Sequence, residues 1–281
     1  MSNFQEVLQK ARDEGRIDPR LLPWDKPVHS GSKQNRSVLE NIKMPPQLLA
    51  LTDDVIGDFQ KTIENIRLEA ESRSLRVIGI TGAVPGQGAS TFAAVLGLLM
   101  AAMEQTSFDQ VSREDMQAMA AGEAPKPGVL LIDAHLREAS LHKKFGMAAG
   151  GGLIDVLEKK IPFNHGIRRI SHSGLLFMST GENNQFNLTP KHIEKLKYYL
   201  SVLKTKIDFV LLDIPPLLQY AEGITLSKLC DGMILVVGAG ETRWEVVQQA
   251  KRVLEKANVR LMGAVLNRRK FYISSWVYKN I

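Results

Sequence analysis

The chain predicts an α/β domain with a doubly wound, mostly parallel sheet. Three features carry that expectation: apolar runs of strand length, helical stretches alternating with them, and acidic or glycine-rich turns where the runs end. RVIGIT, GVLLID, LLFMST, DFVLLD, GMILVVG and LMGAVLN are too continuously apolar to have a wet face. That is the pattern of parallel strands covered by helices on both sides. Between them GASTFAAVLGLLMAAM, TPKHIEKLKYYLSVLK and ETRWEVVQQAKRVLEKA carry helical spacing, and the second opens on Thr189 as a cap with Pro190 in its first turn. Upstream, Phe59, Ile63 and Ile66 recur at spacings of four and three, so an amphipathic helix should lead into the domain.

Two stretches stand outside this alternation. Residues 1–55 are broken by Pro, Gly and Ser after a short helical start, as linkers and docked extended segments are, whereas 56–281 reads as the α/β domain itself. Within the first stretch Leu21, Leu22 and Trp24 form a small apolar cluster that either packs on its own domain or meets a partner. The segment EQTSFDQVSREDMQAMAAGEAPKPG is long for a helix-to-strand connection and reads as a tolerated insertion, with Met116 and Met119 offering an adaptable contact surface as the alternative.

Composition narrows the function classes. The 281 residues can form one doubly wound domain with an extension. No apolar run reaches the roughly 18 residues that a membrane helix needs, and the charged start MSNFQEVLQKARDEGR does not resemble a secretory signal, so a cytoplasmic protein is expected. The single cysteine, Cys230, lies in an apolar run and reads as a buried small residue, and no Cys/His cluster has zinc spacing. The net charge of +6 sits at the end: eight basic residues follow Gln249 against Glu255 alone. Such a tail suits an acidic partner or an anionic membrane surface, or is simply a solvated face. Without an interleaved aromatic and basic pattern, nucleic acid ranks last among partners.

Chemistry concentrates in RVIGITGAVPGQGASTFAAVLG, where a buried strand enters a Gly/Pro loop that opens a helix. Phosphate-binding loops place Gly or Ala, four residues, Gly, Lys and then Ser or Thr in this position; here Ala83, Gly88, Ala89 and Ser90 occupy those places. Small residues such as Ala83, Gly86 and Gly88, flanked by Pro85 and Gln87, let backbone N–H groups surround phosphate oxygens at a helix N-terminus. Ser90 would hold Mg²⁺ and Thr91 would reach the α-phosphate. Ala89 removes the full positive charge that ordinarily meets the β- and γ-phosphates, so ATP or ADP with Mg²⁺ should bind weakly, and a lysine restored there should tighten it. Asp133 and Asp213 end two of the apolar runs, where an acid beside the loop would hold Mg²⁺ or its water, and would assist an attacking hydroxyl if the protein is active. The expected architecture is therefore a P-loop NTPase fold.

With these residues in place, the chain resembles the bacterial tyrosine autokinases of capsule and exopolysaccharide export, relatives of the cell-division and partition ATPases. TGAVPGQGAST is similar to TSxxPGEGKST, VLLIDAHLREASLHKKFGM to hhhDxDxRxPxLHxxFG, and FVLLDIPPLLQYAEGITLSKLCDGMILVVGAGETR to hhhDxPPxxxxxDxxxLxxxxDGxxxVVxxxxTx. The resemblance covers about residues 55–270 and implies that Asn267, in MGAVLNR, lies near the adenine. Departures accompany it. The loop lysine is Ala89, and the second acid of DxD is His135. The assembly motif ExxRxxR falls on Gly57, Gln60 and Ile63, and the tyrosine-rich tail shrinks to Tyr272 and Tyr278. These losses imply a degenerate, pseudokinase-like member. The resemblance further implies a place beside the inner membrane with a polysaccharide chain-length or export protein as partner, and contact with a related kinase or further copies of itself. The competing readings are an active autokinase, in which Arg137 or Lys143 supplies the missing charge, and a partition-type positioning ATPase.

Overall fold

The computed structural model describes residues 53–103, 128–170, 173–182 and 186–269. The segment 1–52, the methionine-bearing insertion and the tail with Tyr272 and Tyr278 lie outside the described residues. In chain order the elements are α1 (Asp53–Arg73), β1 (Val77–Gly82), α2 (Ala89–Met103), β2 (Val129–Asp133), α3 (Leu141–Lys144), α4 (Leu153–Leu157), a 3₁₀ turn (Phe163–Gly166), β3 (Ile167–Arg169) and β4 (Leu176–Met178). Then come α5 (Pro190–Lys206), β5 (Phe209–Asp213), α6 (Ala221–Ser227), β6 (Gly232–Gly238), α7 (Trp244–Lys256) and β7 (Leu261–Asn267).

The strands form one sheet in the order β3-β4-β2-β5-β1-β6-β7, parallel throughout except for β3. Alternation along each strand divides the core. Ile78, Ile80, Leu131, Leu211 and Ile234 join α1 and α2 on one face, while Val77, Leu130, Ile132, Val210, Leu212 and Leu235 meet α4, α5 and α7 on the other. Every residue of β1, β2, β4, β5 and β6 is buried, as continuous apolar strands require.

The expected leading helix forms as α1. Ile63 is fully buried, and Phe59 stacks on Phe92 of α2 at 5.1 Å between centroids. Thr189 caps α5 by accepting from the His192 N–H, and Pro190 opens it. Asp231, just ahead of β6, ties the start of β1 to the last turn of α5: its carboxylate accepts the Arg76 and Val77 N–H groups and pairs with Lys204 at 2.5 Å. Those partners hold its carboxyl below the usual range despite burial.

Two expectations need correction. LMGAVLN has a wet face after all: β7 is the edge strand, and Gly263, Ala264 and Leu266 are exposed because one neighbour and one covering layer cannot enclose it. The antiparallel β3 is an additional strand, three half-buried residues long. Cys230 is half-buried with its Sγ near the Leu226 carbonyl, and burial pushes the thiol's pKa up, as an unreactive packing residue requires. No described helix is long and apolar enough to cross a membrane.

Because the described residues from Ile56 onward already build a continuous core cluster on each face of the sheet, a chain shortened to begin at Thr52 should still unfold in one cooperative transition. Urea denaturation followed by circular dichroism checks this; a broad, non-cooperative transition would place the first 51 residues in the core.

Candidate functional site

Strand register assembles the site. β1 runs between β5 and β6 with Ile80 beside Asp213, and β2 lies beside β5 with Asp133 beside Asp213. The loop from Ala83 to Ser90 thus leaves the carboxyl end of β1 directly over both aspartates. Its first residues are fixed by the chain that follows β5: the Ile214, Leu217 and Leu218 N–H groups donate to the Ile80, Gly82 and Ala83 carbonyls, and the Thr81 hydroxyl donates to the Pro215 carbonyl.

Gly86 and Gly88 have φ of +81° and +83°, conformations an L side chain resists. At Gly88 a Cβ would also meet the Asn267 amide at 2.3 Å. Gln87 is buried and braces the turn, its Oε1 accepting from the Val84 N–H and its Nε2 donating to Thr242 Oγ1 at 2.6 Å. Asn267, expected near an adenine, donates from Nδ2 to the Gln87 carbonyl at 2.9 Å and so holds the loop from behind. The resemblance had singled out Asn267 only as a neighbour of the adenine; its clamp on the loop depends on β7 pairing with β6.

A cavity of about 280 Å³ opens above the loop. Its wall includes Pro85 to Thr91, His135, Glu138, Lys144 and Arg268. The first turn of α2 faces it with N–H groups that have no partner within the helix, and no acid in that turn opposes an anion. His135 accepts the Glu138 N–H at Nδ1 and lies edge-on to Tyr220; burial lowers its pKa, which favours the neutral ring. Glu138 accepts from the Tyr220 hydroxyl at 2.9 Å. Arg137 points elsewhere, bonding Glu222 through Nε at 3.0 Å and lying over the Tyr220 ring, and Lys143 is outside the wall. Sequence proximity had nominated those two cations; Lys144, Glu138 and Arg268 carried no signal of their own beyond lying inside quoted motifs.

Asp133 and Asp213 sit beneath the cavity, at 0% and 1% exposure, rather than in its wall. Asp133 is occupied locally, with Oδ1 and Oδ2 accepting the His135 and Leu141 N–H groups at 3.2 Å each. Burial pushes its carboxyl up to about 6 against the pull of these donors. Asp213 is less satisfied. Neither carboxylate oxygen has a hydrogen-bond partner, and burial followed by the charge of Asp133 drives its pKa well above the usual carboxylate value. The Ser90 hydroxyl is near enough to oppose that rise without completing a well-formed bond. An orphaned carboxylate beside a hydroxyl at a phosphate loop fits Mg²⁺, which takes one or two protein oxygens and completes its shell with phosphate and water. Among the described residues no larger cluster of His, Cys, Asp and Glu competes as a metal site.

Similarity to known proteins agrees with this geometry. No family model matches the chain. Tyrosine-protein kinase YwqD of Bacillus subtilis is 29% identical over 234 residues, covering 81% of this chain and 88% of that protein. This chain is a homologue of the bacterial tyrosine-protein kinases. The succinoglycan biosynthesis transport protein ExoP of Rhizobium meliloti is 23% identical over 254 residues, 86% of this chain but 29% of ExoP. Likewise the chain spans only 19% of tyrosine-protein kinase ptk of Acinetobacter johnsonii. Among solved structures, the BceF tyrosine kinase domain superposes with a TM-score of 0.58 at 23% identity over 83% of this chain and 85% of that one. The septum site-determining protein MinD of Pyrococcus horikoshii, complexed with Mg-ADP, gives 0.50 at 21% identity over 73% and 76%. The homologue has the P-loop NTPase fold that its strand order and loop describe.

A buried carboxylate with a raised pKa binds its proton more tightly folded than unfolded, so its stability contribution is lost as pH rises from about 4 through the folded value. In metal-free buffer at pH 7.5, Asp213→Asn should therefore stabilise the fold, because the amide removes the cost of ionising a buried carboxyl beside Asp133. Thermal melts at pH 4.5 and 7.5 check the sign: the gain should shrink at the lower pH, and a destabilised variant at pH 7.5 would show that Asp213 already has a favourable partner.

Proposed function

We propose that this homologue is a nucleotide-binding regulatory module of exopolysaccharide or capsule biosynthesis and export: a pseudokinase that acts by contact rather than by phosphoryl transfer. The observation supporting this reading is the cavity wall, which includes Ala89 and the neutral-favouring His135, the positions where the sequence resemblance expects a cation and an acid. Phosphoryl transfer relies on charge stabilisation around the moving group, so both substitutions weaken catalysis while leaving the backbone phosphate cradle intact. Similarity to a succinoglycan transport protein supports the polysaccharide setting. In this reading the module works in the cytoplasm at the inner membrane, on the cytoplasmic end of a chain-length or export protein. ATP or ADP with Mg²⁺ serves as a conformational ligand, held by the loop, Ser90 and Asp213.

The active autokinase reading draws on one observation, the unpartnered Asp213 beneath Ser90, which retains the means to hold Mg²⁺. The two readings diverge in turnover. Purified protein incubated with radiolabelled MgATP should yield neither phosphotyrosine nor phosphate release above the level of Asp213→Ala, while co-expression with a membrane polysaccharide-export protein from the same genome should give a stable complex. Phosphotyrosine on the unaltered protein, lost in Asp213→Ala, would establish the autokinase instead.

A further inference from the structure

A phosphate cradle made only of backbone dipoles and hydroxyls leaves most of a polyphosphate's charge unopposed. The cavity wall contains two basic side chains, Lys144 and Arg268. Arg268 follows β7 on the Asn267 side of the loop, and its guanidinium is bonded to Glu241 at 3.1 Å. Lys144 lies at the end of α3, reached through the turn after β2, and among the described residues no carboxylate pairs with it.

Its position is held firmly. Asp133 accepts the Leu141 N–H, Leu141 is fully buried, and the Lys144 N–H donates to the Ser140 carbonyl at 3.2 Å. On the other side Phe145 packs edge-on against Phe177 at 5.0 Å. The backbone of Lys144 is thus pinned between two core side chains, while its side chain lies in a wall shared with Ala89 and Ser90. Its charge reaches Asp213, where it offsets part of the rise caused by burial.

We propose that Lys144 is the phosphate-binding cation of this site, meeting the terminal phosphates of a nucleoside di- or triphosphate from the wall beyond β2, in place of a lysine at position 89. This inference rests on the nucleotide-binding part of the proposed function. Ala89 makes it sterically reasonable, because a long side chain on α2 would compete for the same space and repel a second ammonium. Asp133 acquires a definite role as well, since one of its oxygens orients the turn that carries Lys144; it is a positioning residue here. A cation displaced from the loop binds the phosphates without being coupled to the loop's own backbone donors, which suits a site that holds nucleotide better than it turns it over.

Calorimetric titration of the full chain with MgATP, and separately with magnesium pyrophosphate, tests this. Lys144→Met should weaken both by about ten- to a hundredfold, as loss of one charge-assisted contact does. Lys143→Met should leave both unchanged, and Ala89→Lys in the Lys144→Met background should recover most of the loss. Lys144→Gln provides the same readout if the methionine variant folds poorly, and Lys144→Arg should retain part of the affinity. Equal binding by the unaltered protein and Lys144→Met would overturn the assignment while leaving the nucleotide reading standing. No binding by the unaltered protein at millimolar ligand would also overturn it. In that event Ala89→Lys separates the two ideas: a variant that binds shows a competent loop without a working Lys144, and one that does not removes nucleotide binding as well.

Discussion

The placement of β1 between β5 and β6 is the constraint on which the site depends. A parallel strand in mid-sheet must deliver its following loop to the carboxyl edge, and the register sets Ile80 beside Asp213 and Gly82 beside Val236. The loop is then enclosed on three sides by the residues that leave neighbouring strands: Pro215 and Leu217 after β5, Thr242 after β6, and Asn267 at the end of β7. A one-residue slip would turn every side chain of β1 to the opposite helical layer, so the two halves of the core enforce the register from which the loop's geometry follows. Asp231 secures the far end of the same strand by accepting the Arg76 and Val77 N–H groups.

Much of this was legible beforehand because it rests on local pattern. Continuous apolar runs identified six strands, and glycines at Gly86 and Gly88 marked a turn whose positive φ angles need them. What escaped detection depends on tertiary placement. β3 is three residues, Ile167–Arg169, without full burial on either face to impose a period. β7 is apolar in sequence yet partly wet, because edge position is a property of the sheet and not of the strand. Nominating Arg137 as a replacement cation relied on distance along the chain; its pairing with Glu222, 85 residues away in sequence, was invisible there.

The polar groups around the cavity form two networks with different roles. Gln87, Thr242 and Asn267 connect through buried or half-buried hydrogen bonds that hold the loop's backbone open. Arg137, Glu222, Tyr220 and Glu138 form a more exposed chain at the mouth, ending beside His135. Exposed ion pairs of this second kind contribute little to stability. Their consistent geometry matters more as a fixed rim that keeps Arg137 out of the cavity and leaves the charge of Lys144 to act on Asp213.

Asp133 and Asp213 give the strongest physical reason to regard the site as retained. Two carboxyl groups side by side in adjacent strands, both inaccessible to solvent, are costly to ionise, and apolar residues at these positions would continue the strands without that cost. Asp133 offsets part of its cost through two backbone donors, whereas Asp213 has none. A buried acid left without a partner makes structural sense when a cation completes it. In the proposed pseudokinase reading, Ala89 and His135 stand where a cation and an acid would face a transferring phosphoryl, while the loop backbone, the Ser90 hydroxyl and the buried Asp213 are the groups that would hold a magnesium nucleotide.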